Sequence, residues 1–373
     1  MKNNITQTKL HIKNMEPLRF IGSKFNLLSN IENIIKQHCG NKTDYVVGDL
    51  FSGTSVVSKH FKQLGYSVVA NDNLEFCHTL AKSSLLNNKE PKFLKLLKSK
   101  RFPKDSASKI HPIPYEQVLY YLNNLPAIKG FIYREYSPGG SSKMESPRKY
   151  FTDKNAQKID AVRSTIQEWE NGGLLSSNES ALLISDLLRA TNKIANIAGT
   201  YGSFLKHWDP RTNNSLFLSP SKFIKSIKNH AVYCENANDL VKKIKFDIVY
   251  LDPPYTWRHY GAYYHILETI TKWDKPKTKG ISGLRPWKNS KSKFCYRNEA
   301  ADALKDLIHN CNTKHLLISY NSEGLISHDE IYNILSQIGK PFVHEIQYRK
   351  YKSNNGTKEK TVTERIYYVK KRI

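Results

Sequence analysis

Four consecutive residues, Asp252-Pro253-Pro254-Tyr255, offer the most specific chemistry in the chain, and they directly follow the apolar run Phe246 to Leu251. Pro253 and Pro254 hold the backbone extended, and neither has an N–H to occupy a neighbouring carbonyl. An amino group on a planar base can donate one hydrogen bond to Asp252 and another to the Pro253 carbonyl, while the ring of Tyr255 stacks on the base. Two acceptors aimed at one nitrogen pull its lone pair out of conjugation and make it nucleophilic. The same residues also fit a proline-terminated strand with an incidental tyrosine. The full motif after FDIVYL favours the chemical reading.

Three weaker segments could hold the other reactant. Asp49-Leu50-Phe51-Ser52-Gly53-Thr54 follows a second apolar run, and Gly53 permits a tight turn with close backbone approach by a ligand. Ser55 stands where a second glycine would complete a GxG pattern, and the GxxxxGK[ST] phosphate loop is missing, so an ordinary strand-to-helix turn fits equally. Asn71-Asp72 lies about twenty residues further on, where an acid commonly receives the ribose of an adenosine-containing cofactor. Asp72 or Asn73 would serve as well as a helix cap. Phe20-Ile21-Gly22-Ser23-Lys24 can close over a small anion, although taken alone it reads as a solvated basic turn.

These segments need a scaffold that brings them together. Asp44 to Leu50, Tyr66 to Asn71, Phe246 to Leu251 and His315 to Tyr320 are continuous apolar runs with polar residues at their carboxyl ends. That pattern predicts parallel strands covered on both faces, with chemistry at their C-terminal ends. Leu27 to His38 and Ala300 to His309 have helical spacing. Phe342 to Tyr351 and Thr361 to Lys371 flank the turn-rich Lys352 to Gly356 and predict an antiparallel edge hairpin. Between Asp72 and Phe246 strand signals are scarce. Ala161 to Trp169 and Ala181 to Ile197 read as helices, and Tyr136 to Pro147 as loop.

The chain has 373 residues, 39% of them hydrophobic, which is enough to build a core and excludes wholesale disorder. Lysine and arginine number 58 against 33 acids, a net charge of +25, which points to a polyanionic partner. The five cysteines are scattered without a CxxC pair, so neither a metal site nor a disulfide framework is expected. No apolar run of about 18 residues and no secretory leader is legible, so a soluble cytoplasmic protein is expected.

In sequence order, FIGSK, DLFSGT, ND, a long block and DPPY resemble the Dam-like class of S-adenosylmethionine-dependent DNA adenine N6-methyltransferases, in its alpha motif order. Tyr264 to Thr269, Ser319 to Gly324, Phe131 to Tyr133, Arg148 to Asp153 and Tyr201 to Lys206 are similar to segments of its restriction–modification members. DPPY in place of NPPY argues against the protein-glutamine methyltransferases, which look similar at this loop.

The resemblance implies a doubly wound, Rossmann-like α/β sheet, mainly parallel with an antiparallel C-terminal hairpin, interrupted by a mostly helical insertion. Residues 1–86 and 231–373 would form the catalytic domain, and 87–230 the target-recognition insertion. S-adenosyl-L-methionine would be the cofactor, contacted by Phe20, Gly22, Lys24, Asp49, Phe51, Gly53, Asp72 and Asp252. Asp252, Pro253, Pro254 and Tyr255 would be catalytic, and no metal is required. Ser55, where many members have glycine, leaves the backbone approach at that turn open.

Double-stranded DNA would be the substrate and a cognate restriction endonuclease the functional partner. The basic, aromatic stretch Lys272 to Arg297 is the expected DNA-facing segment, with Lys275, Lys277, Lys279, Arg285 and Lys288 on phosphates. It fits a solvated basic loop as well, as does Lys92 to Lys104, which has the pattern of an amphipathic helix. Within the insertion, Arg134 and Arg148 are expected to touch nucleic acid, and Arg163, Asn192 and Lys206 are of types that read base edges. Arg163 lies on a predicted helix and could be a surface ion-pair residue instead. An RNA adenine methyltransferase, or an inactive nucleic-acid-binding protein on the same fold, is the alternative.

Overall fold

The computed structural model describes residues 18–103, 111–287, 291–349 and 361–372. The chain divides into two compact units: Met1–Ala81 with Ser226–His259 and Ser290–Ile373, and Lys82–Lys225 with Tyr260–Asn289.

The first unit is built on one seven-stranded sheet. Its strands are β1 (Val46–Asp49), β2 (Ser67–Asn71), β3 (Ala231–Tyr233), β4 (Phe246–Leu251), β5 (Thr313–Asn321), β6 (Pro341–Arg349) and β7 (Thr361–Lys370), in the order β3-β2-β1-β4-β5-β7-β6. All neighbours pair in parallel except β7, which runs antiparallel to both β5 and β6. The β-branched residues Val47, Val68, Ile248 and Ile318 are fully buried, as strands covered on both faces require. Gly48 is needed within β1 because a β-carbon there would lie 2.9 Å from Phe246 Cδ1.

Helices flank the sheet for local reasons. In Leu28–Cys39 the residues Leu28, Ile31, Ile34 and Ile35 repeat at helical spacing and are buried, and Gly40, at φ 81°, ends the helix. His328–Ser336 starts at a reciprocal cap between Ser327 and Glu330. Arg297–Asn310 buries Ala300, Leu304, Leu307 and Ile308 in the core beside β4 and β5. The chain leaves β1 toward β2 on one side, while β4 lies on the other. The gap between β1 and β4 is therefore the point at which a doubly wound sheet opens a crevice at its carboxyl edge.

The second unit is mainly helical. Asp153–Asn171 is capped by Thr152, whose side chain accepts from the Asn155 N–H. Ser177–Ile194 begins with a capping box of Ser176 and Glu179. Residues 260–289 belong to this unit and not, as expected, to the catalytic one. The reason is a set of polar ties. His265 Nε2 lies 2.9 Å from the Tyr201 carbonyl, Arg163 donates to the carbonyls of Ile270 and Thr271 at 2.8 and 3.2 Å, and Tyr136 Oη donates to the Gly283 carbonyl at 3.0 Å. Lys92 to Lys104 forms only a short helix, Leu94–Lys98. No helix among the described residues is long and apolar enough to cross a membrane.

Candidate active site

The carboxyl ends of β1, β2 and β4 carry Asp49, Asn71 with Asp72, and Asp252. Asp49 sits opposite Tyr250 in the β1–β4 register and opposite Ala70 in the β1–β2 register, so the three acidic loops leave adjacent strands.

The loop after β1 is shaped by its neighbours. The Gly53 N–H donates to Asp72 Oδ2 at 2.9 Å, and the Leu74 N–H donates to Asp72 Oδ1 at 3.1 Å. Asp72 thus links the glycine loop to the following helical turn, and each oxygen keeps a lone pair for a further donor. The Asn71 amide donates to the carbonyls of Leu50 and Glu235 at 3.2 and 3.0 Å, tying the loops after β1 and β3 together. Gly53 has φ +49°, and a β-carbon on it would lie 3.1 Å from Phe20 Cε1. The N-terminal turn and the glycine loop therefore meet as expected. Ser55, the residue in place of glycine, adopts the left-handed conformation at φ 61°.

Lys24 departs from the sequence expectation of a solvated turn. Its side chain is 5% exposed, and its ammonium lies 2.9 Å from Asp252 Oδ1 and 3.3 Å from Glu364 Oε1. It also donates to the Gly22 carbonyl at 3.3 Å and stands 5.2 Å from the centre of the Tyr255 ring. Burial alone would lower the Lys24 pKa, but Asp252 and Glu364 overcome it and hold the group well above its ordinary value. For Asp252 burial dominates. It pushes the carboxyl up to about 6, with Lys24 pulling down and Glu364 pushing up. Burial also drives Asp49 up to about 7, against the hydrogen bond from the Ser58 hydroxyl and with repulsion from Asp252 and Asp72.

Tyr255 packs edge-on to Tyr320 at 6.1 Å, and its carbonyl accepts from the Leu325 N–H at 2.8 Å. Phe51 meets Phe294 edge-on at 5.2 Å. Glu364, on β7, was not singled out from the sequence. It was legible as an acid in phase with the buried Val362 and Ile366 on a two-residue period.

The residues fit an adenosine-bearing, cationic cofactor. The hydroxyls of Ser23, Ser52 and Ser55 are buried with no hydrogen-bond partner among the described residues, and all three lie in the loops around Gly53 and Lys24. The carboxylates of Asp49, Asp72 and Asp252 outnumber the one buried ammonium, Lys24, which suits a positively charged ligand. One group of possible metal ligands exists among the described residues, Glu75, His78 and Cys234, half-buried with ligand atoms within 4.8 Å of one another. It supplies no group to the carboxylate cluster.

Two arginines expected on nucleic acid are instead structural. Arg148 is 3% exposed; its guanidinium bonds to Glu135 Oε2 at 2.9 Å and to the carbonyls of Glu135, Gly280 and Ile281, each at 3.0 Å. Arg285 is 7% exposed and forks onto Asp274 at 2.6 and 3.1 Å. Arg163 and Asn192 are likewise buried, Arg163 against Glu170 and Asn192 against the Tyr201 hydroxyl. Lys275, Lys277, Lys279 and Arg134 are exposed, and Lys288 lies outside the described residues.

An open α/β sheet with this strand order, an aspartate–proline–proline–tyrosine loop after its central strand and acids after the two adjoining strands together define the architecture of a nucleotide-cofactor methyltransferase. The chain belongs to the D12 class of N6 adenine-specific DNA methyltransferases, whose family model matches residues 20–334. It is 39% identical over 361 residues to the modification methylase StsI of Streptococcus sanguinis, covering 95% of this chain and 52% of that one. It is 39% identical over 362 residues to the type II methyltransferase M.FokI of Planomicrobium okeanokoites, covering 95% and 53%. With the type II methyltransferase M.NlaIII of Neisseria lactamica the identity is 34% over 338 residues, covering 90% and 93%. The chain thus spans about half the length of the first two relatives and nearly all of the third.

Proposed function

We propose that this chain transfers a methyl group from S-adenosyl-L-methionine to the exocyclic amine of an adenine in duplex DNA, at a short specific site. The observation that carries the reading is the buried Asp252–Lys24 pair at the foot of the Asp-Pro-Pro-Tyr loop, at the crevice beside the Gly53–Asp72 link.

The cofactor, when bound, supplies a methyl group on a sulfonium that leaves as a neutral thioether. Phe20, Gly22, Asp49, Phe51, Gly53 and Asp72 form its cradle, with Asp72 toward the ribose and Asp49 toward the methionine part. The target nitrogen bonds carbon and gains positive charge, so acceptors fixed beforehand at Asp252 and the Pro253 carbonyl stabilise the transition state. Asp252 remains largely ionised at neutral pH with its pKa near 6, and it accepts the amine's hydrogen bond. The surplus proton leaves along that bond toward Asp252 and solvent. Positioning supplies the rest of the rate.

A stacked adenine must first leave the helix, at a cost of a few kcal/mol. Tyr255 offsets part of this by stacking on the extruded base. The net charge of +25 serves phosphate binding, with Lys275, Lys277, Lys279 and Arg134 as the exposed contacts. Residues 87–230 select the sequence, and a restriction endonuclease that cuts the same unmodified site is the functional partner.

The test is transfer of a labelled methyl group to duplex DNA, followed by digestion to nucleosides. Label in N6-methyladenine, abolished by Asp252→Ala, is expected. Label only in cytosine, or only when RNA is supplied, would overturn the reading.

A further inference from the structure

Glu364 brings a third charge to the Asp252–Lys24 pair. It stands on β7 opposite Asn321 of β5, and Asn321 Nδ2 donates to its Oε2 at 3.3 Å. Its other oxygen faces the Lys24 ammonium at 3.3 Å. The three N–H groups of that ammonium are matched by three acceptors: Asp252 at 2.9 Å, Glu364 at 3.3 Å and the Gly22 carbonyl at 3.3 Å. Lys24 and Glu364 are about equally buried, at 5% and 6%, whereas Asp252 keeps 17% exposure. Asp252 is therefore the one member of the triad that meets solvent.

We infer that Glu364 is a positioning residue for methyl transfer, sharing the Lys24 ammonium so that Asp252 is oriented by it without being neutralised by it. The inference rests on the methyltransferase reading above. A lone buried Lys24–Asp252 pair would be satisfied, and its carboxylate would have little reason to turn to an incoming amine. With two carboxylates against one ammonium the cluster keeps one surplus negative charge. That surplus lies beside the position where the amine becomes positive. The strand register fixes Glu364, and Glu364 fixes Lys24, so the ammonium stays in place while Asp252 engages substrate.

The groups facing Asp252 are Lys24 from the N-terminal turn, Glu364 from β7, Tyr250 from β4, Asp49 from β1 and Tyr255 from its own loop. Of these, Lys24 and Glu364 act in opposite directions on its carboxyl. Neutralising either one should shift Asp252 in the sense that a purely structural role would not.

The experiment uses the full chain with Glu364→Gln, Glu364→Asp and Lys24→Gln. The Asp252 carboxyl is titrated by 13C NMR in aspartate-labelled, cofactor-free protein, with Asp252→Asn for assignment, and steady-state methylation of duplex DNA is measured in parallel. Glu364→Gln should lower the Asp252 pKa and Lys24→Gln should raise it, each by about one unit. Glu364→Gln should also reduce kcat about tenfold or more, leave KM for the cofactor within about threefold, and move the acid limb of kcat to lower pH. Glu364→Asp should restore the wild-type limb, because it restores the charge. An unmoved Asp252 titration, or a limb that stays in place while kcat falls, overturns the assignment. A Glu364→Gln chain that fails to fold leaves Glu364→Asp and Lys24→Gln to decide: a wild-type titration in both also overturns it. The titration does not depend on turnover, so a chain that never methylates DNA would defeat the functional reading and leave this result to stand or fall separately.

Discussion

Lys24 Nζ lies 2.9 Å from Asp252 Oδ1, joining the N-terminal turn to the loop after β4 by a buried ion pair. The pair explains why a short basic turn sits inside the molecule. Removing the ammonium leaves Asp252 and Glu364 facing each other without compensation, and breaking such a pair costs about 3–5 kcal/mol. Lys24→Met should therefore lower the urea midpoint sharply at pH 8 and recover part of the loss near pH 5, where Asp252 protonates. A pH-independent loss would contradict the pairing.

Proton uptake should accompany cofactor binding through Asp49. Burial holds this carboxyl near 7 in the ligand-free protein, so it is partly protonated at neutral pH. A cationic ligand favours the ionised form and expels the proton. Cofactor affinity should accordingly rise as pH increases through about 7, with proton release visible as a buffer-dependent binding enthalpy. Asp49→Asn should abolish the buffer dependence. The stability linkage runs the other way: the raised pKa favours folding below the unfolded value of 3.8, and that advantage is lost as pH rises through 7.

The glycine loop makes two opposite predictions. Gly53→Ala places a side chain at φ +49° and against Phe20, which costs about 1–2 kcal/mol for the backbone alone and should weaken cofactor binding. Ser55→Gly removes a similar strain at φ 61° while adding about 0.4–1 kcal/mol of unfolded-chain entropy. Thermal unfolding should show the first variant destabilised and the second unchanged or slightly stabilised.

Salt dependence should separate the structural arginines from the surface lysines. Each phosphate contact contributes about 0.9 to the slope of log K against log salt. Replacing Lys275, Lys277 and Lys279 together should flatten that slope for DNA binding. Arg148→Ala should leave the slope intact and lower the stability of the second unit, since Arg148 ties Gly280 and Ile281 to Glu135. A slope reduced by Arg148→Ala would restore it to the DNA surface.

Where burial pattern and chemistry coincide, the sequence was informative. Phe246 to Leu251 is a strand over its full predicted length, and Asp252, Asp49 and Asp72 leave adjacent strands. β3 was missed because its three residues are only half-buried at the edge of the sheet and give no apolar run. Lys24 and Glu364 were misjudged or overlooked because each acquires its role from a partner far away in the chain, which local pattern does not encode. Arg148 and Arg285 were placed on DNA because residue type alone does not distinguish an exposed cation from one consumed by carbonyls and a carboxylate. The domain boundary shifted for the same reason, since residues 260–289 join the second unit through distant hydrogen bonds.

The most direct test of the central claim is single-molecule sequencing of DNA from cells expressing this chain, compared with cells expressing Asp252→Ala. A short sequence carrying N6-methyladenine at the same position throughout the genome, only with the wild-type chain, is the predicted result. Unmethylated adenine with both chains, or methylation that survives Asp252→Ala, would contradict it.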